Sequence, residues 1–307
     1  SGSHEDALST IETMEARLPK LLADLPVRWM EQFYRKMKES NQDELQLRLL
    51  TVIGRPEFQF SDDIRSIDWM LADYATILSK AGRPDQAAQI VARVTDPGTL
   101  RNLSLTPGLR DLFPATFNSR AAVEAELERY RALARKNPDR TEVLLDVARM
   151  QRSLGKPEDA LKTLMEADPV QNGSKFADAD AMANWWWNDM SITYRQLARD
   201  AEAEAALRRG IAMGESNQTN VSQTINLASR YEADGRYEDA LAVLGGIGPT
   251  ITQYGLAAWR TVKSCALAKT GKRSAALAEF AQLRKLGANY PSGLLEAQIC
   301  LEDYDAA

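Results

Sequence analysis

Histidine is almost absent from this sequence. The one histidine, His4, follows Ser1-Gly2-Ser3 in a segment typical of a vector-derived remnant, so we leave residues 1–4 out of the fold prediction. The rest of the 307-residue chain has no imidazole. This excludes Ser-His and Cys-His nucleophile pairs and zinc sites that need histidine. The two cysteines, Cys265 and Cys300, are too few for a disulfide framework or a CxxC metal site.

Long apolar runs and excess positive charge are also missing. No stretch approaches the roughly 20 apolar residues that a helix needs to span a bilayer. A formal charge of -5 and a pI near 5.3 provide no basic footprint for nucleic acid or an anionic membrane. The glycine-rich segment 245–249 lacks the Lys-Ser or Lys-Thr of a phosphate-binding loop, and we interpret it as a helix stop. We therefore expect no cofactor, metal or nucleic acid.

An initiator methionine is missing as well, since the remnant is followed directly by Glu5. We expect that an N-terminal segment was removed. If that segment was a signal peptide, the protein is exported, as in the bacterial periplasm; the alternative is a disordered tail. The residues themselves leave the compartment unknown.

A helical hairpin is the clearest feature that is present. Residues 144–169 contain two amphipathic stretches of about a dozen residues, joined at Gly155-Lys156-Pro157. Ala148 and Ala160 are small residues that suit a close crossing of the two helices. Variants of this unit recur, and each has an alanine early in its second helix: Ala87, Ala160, Ala203, Ala240 and Ala276.

These hairpins resemble the tetratricopeptide repeat, whose pattern is W-x2-L-G-x2-Y, then A-x3-F, then Pro, with a period of about 34 residues. One copy carries the pattern at Trp187, Met190, Ser191, Tyr194, Ala203 and Leu207. Another carries it at Leu71, Tyr74, Ala75, Leu78, Ala87 and Val91. The resemblance extends from about Asp63 to Pro291.

This resemblance implies an all-α fold, a right-handed α-solenoid over residues 61–290 with five recognisable repeats. A divergent unit falls at about 98–138, where Pro107 and Pro114 each forbid a helical hydrogen bond. Residues 5–60 are predicted to form N-terminal helical hairpins. Residues 291–307 are predicted to form a helix that caps the last repeat.

In this family the first helices line a concave groove that binds a partner, which implies a protein or peptide ligand here. Projection of the repeat onto the groove selects six principal candidates: Trp69, Arg149, Arg152, Trp185, Asn188 and Arg195. Within Trp185-Trp186-Trp187, neighbouring side chains point about 100° apart on a helix. We predict that Trp187 is core and that Trp185 faces the groove, with packing on a neighbouring helix as the alternative.

The arginines at 149, 152 and 195 are predicted to form a cationic strip for carboxylates. The alternative is that they already pair with Glu142, Asp146 or Asp189. The lysine and asparagine clamp with which some members hold chaperone C-termini is missing at the matching positions, which argues against a chaperone adaptor. Those positions hold Leu145, Arg149, Asp189, Ser222 and Asn226.

We therefore predict a non-catalytic protein-protein interaction scaffold. Two alternatives remain: a self-assembly module, and a small-ligand or glycan-binding protein that uses Trp69 and Trp185. The two cysteines lie about one repeat apart, on consecutive first helices. Because such helices are usually about 8 to 10 Å apart, we expect two buried free thiols rather than a disulfide.

Overall fold

The computed structural model of the chain describes most residues between 27 and 301. The described ranges are 27–40, 42–58, 67–113, 119–214, 220–247, 251–286 and 290–301, with a few isolated positions between 6 and 16. Most of the predicted helical region before residue 27, and residues 302–307 of the predicted cap, lie outside them. All regular structure in these ranges is helical. No helix in them combines the length and hydropathy needed to cross a membrane.

The chain divides into two compact units, Ser1–Pro138 and Asp139–Ala307. The described helices of the first unit are α1 Val27–Glu39, α2 Asp43–Ile53, α3 Asp68–Lys80, α4 Pro84–Val91, α5 Pro97–Leu105 and α6 Ser119–Lys136. Helix α5 ends just before Thr106-Pro107, as the missing amide hydrogen of proline requires. The predicted boundaries at 60 and 290 stay predictions.

The second unit is a succession of helical hairpins. Its helices are α7 Thr141–Ser153, α8 Pro157–Glu166, α9 Ala179–Gln196, α10 Asp200–Ala212, α11 Val221–Ala233, α12 Tyr237–Leu244, α13 Gln253–Lys269, α14 Arg273–Lys285 and α15 Pro291–Leu301. Each helix packs on the next, and α7 also packs on α9, α11 on α13 and α13 on α15. This stacking of hairpins is an α-solenoid, as the sequence predicts.

One backbone turn recurs in the recognised hairpins. Just after four of the first helices, a glycine has the left-handed backbone conformation, with φ between 69° and 76°. These glycines are Gly82, Gly155, Gly235 and Gly271. The next amide then donates to a carbonyl five residues earlier, as Lys156 does to Gln151 at 3.0 Å. Ala198 holds the same conformation with φ of 57°, although its Cβ disfavours it.

The predicted interhelix alanines form the close crossings. All five second-helix alanines have no exposed surface. Ala75, Ala148 and Ala228 of the first helices are equally buried, and Ser191 and Ser264 stand at the matching positions of the other two hairpins. Because these side chains are small, the helices of a hairpin pack with their backbones close together.

Trp186, rather than the predicted Trp187, is the fully buried tryptophan of this hairpin, and Trp187 packs partly buried against the same core. Trp186 is 3% exposed, and its Nε1 donates to the carbonyl of Leu164 in α8 at 2.7 Å. Trp187 is half-buried, lies beside Gly210 of α10 and is covered by the guanidinium of Arg209 at 5.0 Å. Trp186 therefore faces α8 and Trp187 faces α10, while Met190 and Ser191 are buried at their predicted positions.

Candidate binding groove

Helices α9 and α11 of the second unit enclose a surface cavity of about 330 Å³. Its wall on α9 includes Asn188, Ile192 and Arg195, which recur every three or four residues and so share one face of the helix. Asn226 and Ser229 of α11 form part of the opposite wall. The predicted groove residues Asn188 and Arg195 therefore line a real depression.

The floor of this depression combines amide groups with exposed apolar surface. Asn226 Nδ2 donates to Asn188 Oδ1 at 2.9 Å across the two helices. Ile192 is 42% exposed. Trp185, one turn earlier on the same face as Asn188, is 39% exposed and so presents part of its ring to solvent. Such a surface offers hydrogen bonds to a peptide backbone and apolar contact to its side chains.

Two arginines beside the cavity are held by carboxylates. Arg195 Nη2 lies 3.0 Å from Asp234 Oδ1 and remains 44% exposed. Arg230 is 6% exposed and donates to Asp200 Oδ1 at 2.8 Å. Its Nη1 is buried without a hydrogen-bond partner in the described part of the chain. Arg195 is therefore the accessible cation of this cavity.

Arg152 does not contribute to an exposed cationic strip, contrary to the prediction. Its guanidinium is buried, forms an ion pair with Asp189 of α9 and donates to Thr193 Oγ1 at 3.1 Å. It thus cross-links α7 to α9. Arg149 is 54% exposed, and its Nη1 lies 2.6 Å from Asp146 Oδ1 on the same helix. The alternative, in which these arginines pair with carboxylates of the chain, therefore describes both residues.

Trp69 lies in the first unit and is half-buried. Its Nε1 donates to Glu31 Oε1 at 3.1 Å, its ring packs edge-on against Tyr34, and the guanidinium of Arg35 lies 5.3 Å from its centroid. The ring and the polar edge of this indole therefore both have contacts within the unit.

A second cavity, of about 180 Å³, continues along the same side of the second unit. Ser229 lines both cavities, so the two adjoin. The second is formed by α11, α13 and α15, and its rim includes Tyr254 and Tyr290, whose ring centroids are 6.0 Å apart. We refer to the two cavities together as the groove.

The cysteines beside this cavity form a disulfide, so the expectation of two free thiols is wrong. Cys265 of α13 and Cys300 of α15 are bonded, with Cα atoms 5.1 Å apart. The helices approach closely because the crossing has Gly293 against Thr261, where an added Cβ would lie 2.6 Å from the threonine Oγ1. The usual helix separation does not apply where a glycine meets a small residue.

Two carboxylates lie close to each other at this end of the unit, and one of them, Glu296, lines the smaller cavity. Burial and the nearby charge of Glu296 raise the pKa of Glu232 to about 7, and burial also raises the pKa of Glu296. Glu232, Cys265 and Cys300 are the one group of potential metal ligands that come within 4.8 Å of each other among the described residues. Because the two sulfur atoms are bonded to each other, they offer no thiolates to a metal.

A different polar network lies on α10 and the hairpin that follows it. Glu204 accepts hydrogen bonds from the Tyr231 hydroxyl at 2.6 Å and from Arg236 at 2.9 Å, and it lies 3.0 Å from Arg208. The Tyr231 hydrogen bond and the two guanidinium groups lower the pKa of Glu204 to about 2. This network ties α10 to α11 and does not line the groove.

Several groove residues were not among the sequence candidates. Asn226 is named in the sequence analysis only as a position matching the chaperone clamp. Its spacing of three from Ser229 is the signal that could have placed it on the exposed face of α11. Tyr254, Tyr290 and Glu296 come together because α15 packs against α13, which the repeat pattern does not encode.

Comparison with known proteins identifies no family for this chain. No family model matches it, and no curated protein matches it in sequence. A solved structure of a proposed kinesin light chain from Podosopora anserina with nearly identical TPR-like repeats is similar at 14% identity and a TM-score of 0.38 over 74% of this chain and 97% of that one. The structure of a variant of the same protein is similar at 15% identity and a TM-score of 0.39, covering 72% and 95%. The fold assignment rests on the helix packing of this chain itself.

Proposed function

We propose that this protein is a non-catalytic scaffold that binds an extended segment of a partner protein in the groove formed by α9, α11, α13 and α15. The observation that carries the proposal is the cavity at Asn188 and Asn226, where paired amides lie beside the exposed side chain of Ile192. A peptide needs both kinds of contact: hydrogen bonds for its backbone and apolar surface for its side chains.

The arginine at the edge of this cavity leads us to expect an acidic residue in the bound segment. Arg195 keeps 44% of its side chain exposed although it pairs with Asp234. A guanidinium that is partly paired at the surface can exchange one carboxylate for another at low cost, because exposed ion pairs contribute only about 1 kcal/mol or less. Trp185 extends the apolar surface one turn further along α9.

The test is selection of peptides from a random display library on the immobilised protein, followed by affinity measurement with variants. Ile192→Glu together with Asn226→Ala should weaken a selected peptide at least about tenfold, since a desolvated contact and a backbone hydrogen bond are both lost. Met165→Glu is the matched control, because Met165 is 63% exposed on second helix α8. Equal binding by the groove variant and the wild type would contradict the proposal.

Self-assembly is the second candidate function, and the exposed face of α15 favours it. Leu295 and Ile299 lie one turn apart on this last helix and are 47% and 51% exposed. A stripe of this kind suits a contact with a second copy of the chain. Light scattering at tens of micromolar tests it: a monomer in both the wild type and Leu295→Glu would exclude this function.

We also propose an oxidising compartment such as the periplasm for this protein. The Cys265–Cys300 disulfide supports this location, because disulfides persist where thiols are not kept reduced. Fractionation of cells that express the full gene, with antibody detection of the protein, tests it. Recovery with the cytosolic marker alone would contradict it.

A further inference from the structure

Helix α15 is joined to the second unit by a contact that differs from the other helix crossings. It packs on α13 through small residues, with Gly293 against Thr261 and with Ala297 and Ala257 almost fully buried. The Cys265–Cys300 disulfide bonds the same two helices across 35 residues of sequence and uses both cysteines of the chain. The disulfide thus adds a covalent bond to a helix contact that also buries Ala297 and Leu301 in the apolar core of this end of the unit.

The two cysteines of this bond differ in burial. Cys265 has no exposed surface, whereas Cys300 on the outer helix is half-buried. A thiolate that arrives from solvent therefore reaches Cys300. The sulfur that leaves in that event is that of Cys265, and the carbonyl oxygen of Glu296 lies 3.8 Å from it. A Cys265 thiol would thus have a hydrogen-bond acceptor already in place.

The carboxylate of Glu232 stands beside both sulfur atoms. It comes from α11, is half-buried, and has an oxygen within 4.8 Å of each Sγ. Among the described residues it has neither an ion pair nor a hydrogen bond. From the helices that pack against α11, the groups that act on it are the Glu296 carboxylate of α15 and, after reduction, the two thiols.

A carboxylic acid within 4.8 Å of a leaving thiolate can deliver its proton through one bridging water or after a small side-chain movement. Burial and the charge of Glu296 raise the pKa of Glu232 to about 7, so near neutral pH it exists in both protonation states. In the protonated state it neutralises the departing Cys265 sulfur. In the ionised state it has no proton to deliver and its charge opposes an approaching thiolate.

We propose that Cys265–Cys300 is a redox-active disulfide, that Glu232 transfers the proton during its exchange with a dithiol, and that its reduction releases α15 from the groove. This goes beyond the proposed function, since it does not depend on which segment the groove binds. Its consequence for the groove is direct, because Ser292, Gly293 and Glu296 of α15 form one wall of the smaller cavity.

A thiolate of the dithiol attacks Cys300 Sγ, a mixed disulfide forms, and the electron pair of the broken bond passes to Cys265 Sγ, which takes the proton of Glu232. The second thiol of the reductant, as its thiolate, then displaces Cys300, whose sulfur is protonated from solvent. Glu232 regains a proton from solvent, which has received the two protons of the dithiol. In total the protein disulfide gains two electrons and two protons, and the dithiol is oxidised to a disulfide.

The first test is the rate of reduction by dithiothreitol, measured by quenching, alkylation and mass spectrometry between about pH 5.5 and 8.5. The ratio of the wild-type rate to that of Glu232→Gln should fall about tenfold as the pH rises through about 7, because only the protonated carboxyl assists the leaving group. Using the ratio cancels the ionisation of the reductant. A ratio that is constant with pH would overturn the role of Glu232.

Glu296→Gln is the matched variant for that experiment. It removes the neighbouring negative charge and leaves the disulfide and Glu232 in place, so the pH at which the ratio falls should move lower and the fall itself should persist. A purely structural role of Glu232 would change the rate equally at every pH and would leave nothing for Glu296→Gln to shift.

The second test needs no variant and so does not depend on how a mutant folds. Hydrogen exchange of the wild-type protein, oxidised and reduced, should show at least about tenfold faster exchange in residues 291–301 after reduction, with residues 141–166 unchanged. Equal protection of α15 in both states would overturn its release. Alkylation of both cysteines in the air-oxidised protein would overturn the redox-active disulfide itself.

Discussion

The middle of the second unit and its last helix contact are stabilised in different ways. Between α7 and α9 the contact includes a buried ion pair, Arg152 with Asp189, together with the Thr193 hydroxyl. Between α13 and α15 it consists of small side chains and a disulfide. The first contact depends on two matched polar groups, and the second depends on how closely two backbones approach.

This difference teaches that one repeat pattern can accommodate two kinds of contact between helices. In the middle, a long side chain spans the gap between successive first helices, so the helices can stay at an ordinary distance. At the end, Gly293 removes the side chain that would keep the helices apart, which brings Cys265 and Cys300 within bonding reach.

The largest effect is expected from Asp189→Asn. It leaves the guanidinium of Arg152, which is 5% exposed, buried without its anion, and should lower the free energy of unfolding by about 4 kcal/mol. Urea denaturation measures this. Arg149→Ala is the control: its side chain is 54% exposed, and we expect a loss below about 1 kcal/mol. Similar losses in the two variants would show that the middle contact does not rely on the buried pair.

Gly293→Ala tests the end contact. The added Cβ would lie 2.6 Å from Thr261 Oγ1, so α15 must shift away from α13, at a cost of about 2 kcal/mol in the free energy of unfolding. The same substitution at Gly245 meets only the carbonyl oxygens of Ala242 and Leu241, at 3.4 and 3.7 Å, and should be nearly neutral. Thermal unfolding measures both variants. A loss of stability at Gly293 alone would show that the close approach of the two helices, and not the loss of a glycine, causes the effect.

Glu204→Gln tests a polar contact between neighbouring hairpins through its pH dependence. Because the pKa of Glu204 is lowered to about 2 in the folded protein, the wild type gains stability that is fully present above the unfolded pKa near 4.5 and is lost as the pH falls through about 2. After allowance for solvent screening, the advantage over the variant at neutral pH is about 1 kcal/mol. An advantage that persists at pH 2 would contradict this origin.

The smallest effect is expected at a turn, and it is a gain. Ala198→Gly relieves the left-handed conformation of the alanine but loosens the unfolded chain, so the net stabilisation should be about 0.5 kcal/mol. Gly155→Ala at the equivalent turn places the same side chain in the same conformation and should destabilise by about 1 kcal/mol. Chemical denaturation that gives both changes the same sign would refute the equivalence of the two turns.

Much of the fold could be predicted from local patterns. Gly155 and its counterparts mark the turns because the left-handed conformation selects glycine, and the alanines at 87, 160, 203, 240 and 276 mark crossings where only a small side chain fits. The exposed positions of Asn188 and Arg195 follow from the same spacing. The burial of Arg152 could not be predicted in this way. In sequence, an arginine on an inner face looks the same whether or not an aspartate from the next helix reaches it.

The sequence by itself determined that this protein is an array of helical hairpins, because helix periodicity and turn residues are properties of short segments. Only the tertiary structure decided that Trp186 rather than Trp187 is the core tryptophan, and that Cys265 and Cys300 are bonded. Each of these depends on the rotation or separation of two helices. Neighbouring side chains on a helix point about 100° apart, so adjacent residues face different neighbours. Gly293, which lacks a side chain, lets two backbones come together. Neither effect can be read from the residue spacing within one helix.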